Sequence, residues 1–357
     1  MRRPWPRPIR GRGTATRADP RYLERQYEAV DDGWGSREEP ERVPTTVTVE
    51  RPRTIISRNR SPDVPFDISV NPYRGCEHGC TYCYARPTHA YLDLSPGIDF
   101  ESKLFAKPGA PELLKKELGK SSYRCTPLAL GTNTDPYQPI EREWRITRDI
   151  LEVLLEARHP ATIVTKSSLV ERDVDLLASM ARQDLVQVFL SVTTLDPGLT
   201  RRLEPRAAAP ARRLQTLDRL HQAGVPVGVM FAPVIPFIND GDMEAVLEKA
   251  AAAGAEAGGY VMLRLPHEIK QLFREWLQQH EPGKAEHVMN VIADLRSGRD
   301  NDPRFHHRMH GDGHYAGLIR QRFERACRRL GLNRTRRVLD TSRFIQPGAG
   351  GVQQTLF

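Results

Sequence analysis

Short, continuous apolar segments recur through the middle of the chain. TPLALGT at 126–132 and PVGVMFAPV at 226–234 are apolar at nearly every position, which is typical of strands that are covered on both faces of a parallel sheet. Similar segments recur at regular intervals along the chain. The predicted strands cover 66–72, 126–132, 161–166, 185–194, 226–234 and 259–265.

Segments with helical periodicity separate these strands. ITRDILEVLLEAR at 146–158 repeats its apolar residues every three or four positions, as one buried face of a helix requires. This alternation predicts an α/β fold, either a partial or closed (β/α)6 barrel or a doubly wound sheet, because these folds share the same local pattern. The other predicted helices of this region cover 84–92, 111–119, 169–181, 207–223, 241–254 and 268–280.

The periodic pattern fades toward both ends of the chain. Residues 1–45 are rich in Arg, Pro, Gly and Asp, and we expect a basic, largely disordered tail there. The (β/α)6 core is predicted to span 54–282, followed by a helical extension at 283–343. Residues 344–357 are rich in glycine and are expected to form a flexible tail.

Composition fits a soluble globular protein, with 39% hydrophobic and 27% charged residues. No uninterrupted apolar stretch is long enough to span a membrane, and no apolar signal region follows the basic start. We therefore expect a cytoplasmic protein. The chain has five cysteines, an odd and small number, which in a reducing compartment favours metal ligation or catalysis over disulfides.

The net charge of +8 is concentrated at the two ends. Residues 1–25 contain eight arginines against two acidic residues, and residues 319–343 contain nine against two. Guanidinium groups fit phosphate oxygens, so contact with nucleic acid is one interpretation. A solvated, charged surface is the other.

Three cysteines lie close together just after the first predicted strand. Cys76, Cys80 and Cys83 follow a C-x3-C-x2-C spacing, in a loop that also holds two glycines. Closed zinc sites and most iron–sulfur clusters use four protein ligands. Either His78 or His89 supplies a fourth ligand, or one coordination position stays open for chemistry.

This spacing, with Tyr82 directly before the last cysteine, resembles the signature of the radical S-adenosylmethionine (SAM) enzymes. In that family three cysteines hold a [4Fe–4S] cluster, and SAM chelates the fourth iron. The resemblance implies a partial (β/α)6 barrel and a reductant such as flavodoxin or ferredoxin. The electron from that reductant releases a 5′-deoxyadenosyl radical from SAM.

A longer stretch, RNRSPDVPFDISVNPYRGCEHGCTYCYARPTHAYL, resembles the radical SAM proteins related to spore photoproduct lyase, which are often labelled DNA repair photolyases. GTNTDPYQPIE at 131–141 and TKS at 165–167 fit the same group, and the likeness runs from about residue 45 to the C-terminus. The resemblance implies a DNA repair-like lyase and makes nucleic acid the preferred substrate class.

The same resemblance implies that polar residues at the strand ends bind SAM. The loop after the second strand helps to hold the methionine end of SAM in the related lyases, and Lys166 and Ser191 are implied to lie near the SAM carboxylate. Read without the resemblance, the loop needs only an Asx-type turn before Pro136. The implied contacts are Tyr82, Thr132, Asn133, Asp135, Lys166 and Ser191.

One departure from the lyases concerns the hydrogen-atom donor. Spore photoproduct lyase uses a cysteine near the second-strand loop, where this chain has Gly131 and Thr132. Cys125 begins the strand at its opposite end, and Cys327 lies on a late helix. Repair of a thymine dimer by that route is therefore not favoured, and no catalytic residue is assigned.

Two further segments carry candidate chemistry. HHRMHGDGH at 306–314 is interpreted as a polar loop, with metal binding as the alternative. The terminal QQTLF resembles a peptide that binds the replication sliding clamp, with Gln353, Leu356 and Phe357 at the matching positions.

Two other functions stay open at this point. One is a zinc-stapled nucleic-acid-binding protein, and the other is a radical SAM enzyme that acts on a protein or a small metabolite.

Overall fold

The computed structural model describes residues 9–22 and 43–348. Ten strands within these residues form two sheets. They are β1 (Thr46–Val49), β2 (Ile56–Arg58), β3 (Ile68–Val70), β4 (Tyr73–Arg74), β5 (Lys103–Ala106), β6 (Leu128–Leu130), β7 (Ala161–Thr165), β8 (Val186–Ser191), β9 (Val227–Val234) and β10 (Ala257–Met262).

The main sheet has seven strands in the order β10-β9-β8-β7-β6-β3-β2. Six of them are parallel and follow one another in chain order, while β2 pairs antiparallel with β3 at the edge. A doubly wound sheet would reverse its strand order at a switch point, and this sheet does not. The six parallel strands confirm the predicted α/β fold and its partial-barrel form.

Helices fill the connections between the strands and continue after β10. They are α1 (Ile98–Ser102), α2 (Ala110–Leu118), α3 (Glu141–Trp144), α4 (Ile146–Glu156), α5 (Val174–Ala181), α6 (Pro197–Leu203), α7 (Pro210–Gln222), α8 (Met243–Ala252), α9 (Ile269–His280), α10 (Ala285–Asp294) and α11 (Gly313–Leu330). Three short 3₁₀ helices lie at Arg86–Leu92, Ser168–Asp173 and Asp240–Asp242. Each helix of the described chain is too short or too polar to cross a lipid bilayer.

The core lies between the parallel strands and the helices that cover them. Leu130, Ile163 and Val188 on three neighbouring strands are fully buried. Ile150 and Leu154 of α4 are buried as well, whereas Glu152 on the opposite face is exposed. This burial is the reason that the strands read as continuous apolar segments and the helices as amphipathic ones.

The second sheet has the order β1-β5-β4 and joins the chain before the core to the cysteine loop. Strand β1 pairs parallel with β5, and β4 pairs antiparallel with it. The preceding segment 9–22 was expected to be disordered as part of the tail 1–45. Instead, Arg12, Thr14 and Ala18 are buried against the body of the protein.

The C-terminal residues also pack onto the core. Helix α11 lies against α8, where Arg322 forms a 2.7 Å ion pair with Glu244. Phe344 contacts the rings of Tyr123 and His159. The tail 344–357 was expected to be flexible, but its first residue packs against the core; the structure describes this tail only as far as 348. The limits 54–282 and 283–343 for core and extension stay predictions.

Candidate metal centre and cofactor site

The three cysteines lie in one tight loop after β4. The amide of Gly79 donates to the carbonyl of Cys76 at 3.3 Å, and the amide of Cys83 donates to that of Cys80 at 3.2 Å. Gly79 has a left-handed φ of 66° and faces Glu101, so no side chain fits there. Cys76 and Cys80 are buried, Cys83 is half-buried, and all three are free thiols.

Burial favours the neutral form of two thiols of this loop, those of Cys76 and Cys80. It raises the pKa of Cys76 well above its ordinary value, and the nearby Asp135 carboxylate and the other two cysteines add to the shift. Burial also raises the pKa of Cys80 to about 12, although Lys166 opposes it. These two thiols become thiolates only beside a strong positive centre, and a bound metal supplies one. The donor set therefore fits an iron–sulfur cluster.

A buried arginine shapes the cysteine loop. Arg86 is fully buried, and its guanidinium donates to the carbonyl oxygens of Cys80 at 2.8 Å, Gly79 at 3.0 Å and Gly97 at 2.8 Å. Its charge is matched by Glu101 at 3.1 Å. Since one side chain satisfies three buried carbonyls, it fixes the backbone from which the cysteines project. Sequence reasoning did not identify Arg86.

The N-terminal segment lies directly on this loop. The amides of Gly13 and Thr14 donate to Glu101 at 2.8 and 3.1 Å, and the Thr81 hydroxyl donates to the Gly13 carbonyl at 2.9 Å. A Cβ atom on Gly13 would lie only 1.7 Å from the Gly79 carbonyl oxygen. The contact therefore requires glycine at this position, and the segment covers the loop from one side.

Asp135 links the cysteine loop to the strand ends. Its carboxylate accepts hydrogen bonds from the Thr165 hydroxyl at 2.7 Å and the Lys166 amide at 2.8 Å, and it lies 3.2 Å from His78 Nδ1. Burial alone would raise the pKa of Asp135, but the neighbouring His78 and these donors lower it to about 2. The Tyr137 amide also donates to it at 2.9 Å, which forms the expected Asx turn.

Gln138 is a second link that the sequence did not reveal. It is fully buried, donates to the Gly75 carbonyl at 3.1 Å and accepts from the Glu77 amide at 2.8 Å. Asp135 and Gln138 together fix the loop after β6 against the loop that carries the cysteines.

Thr132 and Asn133 remain available to a ligand. Both are half-buried, and within the described residues neither side chain has a hydrogen-bond partner in the protein. Their backbones are held instead: the Tyr84 hydroxyl donates to the Thr132 carbonyl, and the Asn133 amide donates to Asn71 Oδ1 at 3.2 Å.

A buried ion pair lies beside Cys80. The Glu204 carboxylate accepts from Arg213, from the Tyr82 hydroxyl and, at 2.5 Å, from the Thr193 hydroxyl. Burial opposes ionisation of Glu204, but Arg213 foremost lowers its pKa to about 2. Arg213 also donates to the Ser191 carbonyl at 2.9 Å. Sequence reasoning missed this pair, because the two residues belong to different helical segments with no motif of their own.

Lys166 completes this group. Its Nζ atom lies 5.9 Å from the centre of the Tyr82 ring. Burial would lower the pKa of Lys166, but its electrostatic interactions with Cys80 and with the Glu204 carboxylate raise it overall, which favours the charged ammonium. The structure thus brings Tyr82 and Lys166 together near Cys80, and the Glu204–Arg213 pair links Tyr82 to the Ser191 carbonyl. The predicted contacts of Tyr82, Lys166 and Ser191 with SAM stay predictions.

The two histidines considered as zinc ligands are engaged elsewhere. His78 faces Asp135, and His89 Nε2 lies 3.0 Å from the Lys103 carbonyl, with the rings of Phe100 and Phe105 beside it. Across residues 9–22 and 43–348, no three His, Cys, Asp or Glu side chains converge on a single-ion site. A cluster differs from such a site, because each thiolate binds its own iron.

The other two cysteines are remote from this loop. Cys125 precedes β6 at the end opposite to the loop 131–141, and Cys327 is buried on α11. Burial raises the pKa of each thiol to about 11.

Comparison with known proteins identifies the class that this barrel and its thiol loop define. The family model of the Radical SAM superfamily matches residues 70–250, about half of the chain. The chain belongs to the radical SAM superfamily.

The chain is also similar to individual proteins of other organisms. An uncharacterized protein of Mycobacterium tuberculosis is 39% identical over 221 residues, which cover 61% of this chain and 65% of the relative. An uncharacterized protein of Methanocaldococcus jannaschii is 26% identical over 224 residues, covering 63% of this chain and 80% of that relative. The chain thus spans less than two thirds of the length of the mycobacterial relative.

Solved structures show the same fold. Spore photoproduct lyase complexed with dinucleoside spore photoproduct aligns with a TM-score of 0.55 at 13% identity, covering 80% of each chain. A mutant of that lyase aligns with a TM-score of 0.56 at 14% identity over the same shares. The predicted resemblance to this group is confirmed at the level of the fold.

We predict that Gly13→Val weakens the cysteine loop. The new side chain overlaps the Gly79 carbonyl, and overpacking of this kind costs about 1–3 kcal/mol. The expected result is lower iron content after anaerobic reconstitution, measured by iron and sulfide analysis. Gly283→Val is the matched control, because nothing lies within 4 Å of its Cβ position. Equal iron content in both variants would contradict the covering role of the segment.

We predict that Glu204→Gln lowers the free energy of unfolding by about 3 kcal/mol, because it leaves Arg213 buried without its carboxylate. Chemical unfolding of the metal-free protein measures the loss. Glu281→Gln breaks a more exposed pair with Arg202 and should cost at most about 1 kcal/mol.

The contribution of Glu204 to the free energy of unfolding should also depend on pH. Its pKa in the folded protein, about 2, lies below the ordinary value. The stabilisation is therefore fully present above the ordinary pKa and is lost as the pH falls toward 2. A destabilisation by Glu204→Gln that stayed the same from neutral pH to pH values near 2 would refute this assignment.

Proposed function

We propose that the chain holds a [4Fe–4S] cluster through Cys76, Cys80 and Cys83 and cleaves SAM reductively to act on nucleic acid. The observation that carries the proposal is the loop that gathers three thiols, two of them buried, at the strand ends of a partial barrel. When bound, cluster and SAM supply a 5′-deoxyadenosyl radical that abstracts hydrogen.

The residues of the chain have distinct parts in this proposal. The three cysteines hold the cluster, while Arg86 and Asp135 keep the loop in shape. The charged ammonium of Lys166 provides a partner for the SAM carboxylate, since an anion in a buried site needs compensation.

Polar groups at the neighbouring strand ends complete the SAM site. Thr132 and Asn133 offer hydroxyl and amide groups without protein partners among the described residues, and Tyr82 and Ser191 are linked through the Glu204–Arg213 pair.

Support for nucleic acid comes from the neighbours with the same fold, one of which is a lyase complexed with a dinucleoside spore photoproduct. The absence of a cysteine in the loop 131–141 separates this chain from that repair route. The substrate therefore belongs to the same chemical class, with a different fate for the product radical.

A radical SAM enzyme for a protein or a small metabolite is the second candidate, and one observation favours it. Many arginines of the basic ends are neutralised within the chain: Arg322 pairs with Glu244, Arg337 with Asp184, and Arg21 with Glu268. The terminal charge is thus less available for phosphate than the sequence suggested.

Partners follow from the same proposal. A reductant such as flavodoxin or ferredoxin would supply the electron, and a reducing cytoplasm suits the cluster. The clamp-binding positions Gln353, Leu356 and Phe357 lie outside the described residues, so that partner stays a prediction.

We predict that Cys80→Ala abolishes both the iron–sulfur absorption and the formation of 5′-deoxyadenosine, because two thiolates cannot hold the cluster. Anaerobic reconstitution, reduction in the presence of SAM and chromatography of the products measure both. Cys125→Ala, remote from the loop, is the control and should keep both signals. A colourless wild-type protein that binds only zinc would refute the proposal.

A further inference from the structure

Arg264 lies at the mouth of the barrel, beside the cysteine loop. It comes two residues after the end of β10, at the carboxyl edge where a barrel places its active site. Its guanidinium carbon lies 5.3 Å from the centre of the Tyr84 ring. Tyr84 directly follows Cys83, and its hydroxyl donates to the Thr132 carbonyl. The Arg264–Tyr84 pair therefore spans the mouth from β10 toward β6.

The charge of Arg264 is not neutralised within the described residues. None of their carboxylates forms an ion pair with it, its Nε is buried without a hydrogen-bond partner, and Nη1 has only Met309 Sδ at 3.7 Å. Burial, followed by the nearby Arg308, lowers the pKa of Arg264. Arg264 is half-buried, and leaving its buried Nε donor unused is costly unless a ligand accepts from it.

Arg308 adds a second cation next to it. The Asp63 carboxylate accepts from Arg308 Nε and, at 2.6 Å, from the His306 amide, so this acid is already engaged and is buried beneath the arginine. The guanidinium carbon of Arg308 lies 4.7 Å from the centre of the Phe305 ring. Two arginines, each against an aromatic ring, thus lie side by side.

The loop that carries Arg308 is held in place before any ligand binds. Arg296 is fully buried and donates to the carbonyls of His307 at 2.9 Å, Arg308 at 3.0 Å and Leu263 at 2.8 Å. The Met262 amide donates to the Met309 carbonyl at 2.8 Å, which ties the loop to β10. The stretch 306–314 is therefore a preorganised part of the barrel mouth.

We propose that Tyr84, Arg264, Phe305 and Arg308, here called the arginine–aromatic ledge, receive a single strand of nucleic acid. Arg264, which has no ion pair among the described residues, would bind a phosphate, and the rings of Tyr84 and Phe305 would stack bases; Tyr84 is 47% and Phe305 49% exposed. Paired bases hide their faces, so a duplex is disfavoured relative to an unpaired or extruded nucleotide. The inference rests on the proposed function, because it places that nucleotide next to the cluster.

The test is binding of a labelled single-stranded oligonucleotide, measured by fluorescence anisotropy at several salt concentrations. Arg264→Gln should weaken binding about tenfold and reduce the salt slope by about one phosphate contact. Phe305→Ala should weaken binding by a similar factor, but not for an abasic oligonucleotide. Arg329→Gln removes an exposed arginine of α11 and should change neither quantity. Iron–sulfur absorption of each reconstituted variant checks that it folds.

Two results would overturn the ledge. One is equal affinity of wild type, Arg264→Gln and Arg329→Gln for the single strand, and the other is tighter binding of duplex than of single strand by the wild type. The assay is independent of SAM cleavage. Formation of 5′-deoxyadenosine without binding of any oligonucleotide would refute the ledge and leave the radical SAM assignment intact. Specific binding without SAM cleavage would support the ledge and refute the proposed SAM cleavage.

Discussion

The site depends on gathering three thiols in one short loop, where two of them, Cys76 and Cys80, are buried. Thiols at Cys76 and Cys80 resist ionisation where they lie, so the loop needs a positive centre to make them ligands. It also needs a rigid backbone, because the cysteines have no regular secondary structure to hold them. Arg86 supplies that rigidity from within by satisfying three carbonyls of the surrounding chain.

In the surrounding barrel, buried charged groups also fix neighbouring segments through hydrogen bonds. Asp135 connects the loop to β7, and Glu204 with Arg213 connects Tyr82 to the end of β8. Each carboxylate keeps its charge because several donors converge on it, which costs less than leaving any member alone. The result is a set of strand ends whose polar groups are either locked together or, as with Thr132 and Asn133, left for a ligand.

The sequence predicted the fold well, because parallel strands and amphipathic helices leave strong local patterns. The strand predicted at 161–166 is β7, and the cysteine spacing alone located the loop. Hydrogen-bond and ion-pair partners that are far apart in the sequence leave no such local pattern. Glu101 is fully buried under Gly13 and Thr14, yet nothing around it distinguishes it from a surface glutamate. The disorder expected at 9–22 is not observed, because the partners of this segment are also far away in the sequence. Arg12 is buried, and Gly13 packs against the Gly79 carbonyl.

The central claim is that the loop carries one cluster with an iron that SAM can reach. Electron paramagnetic resonance of the anaerobically reconstituted, reduced protein tests it most directly. The account predicts the signal of a reduced [4Fe–4S] cluster whose shape changes when SAM is added. A protein without that signal, or with a signal that SAM leaves unchanged, would contradict it.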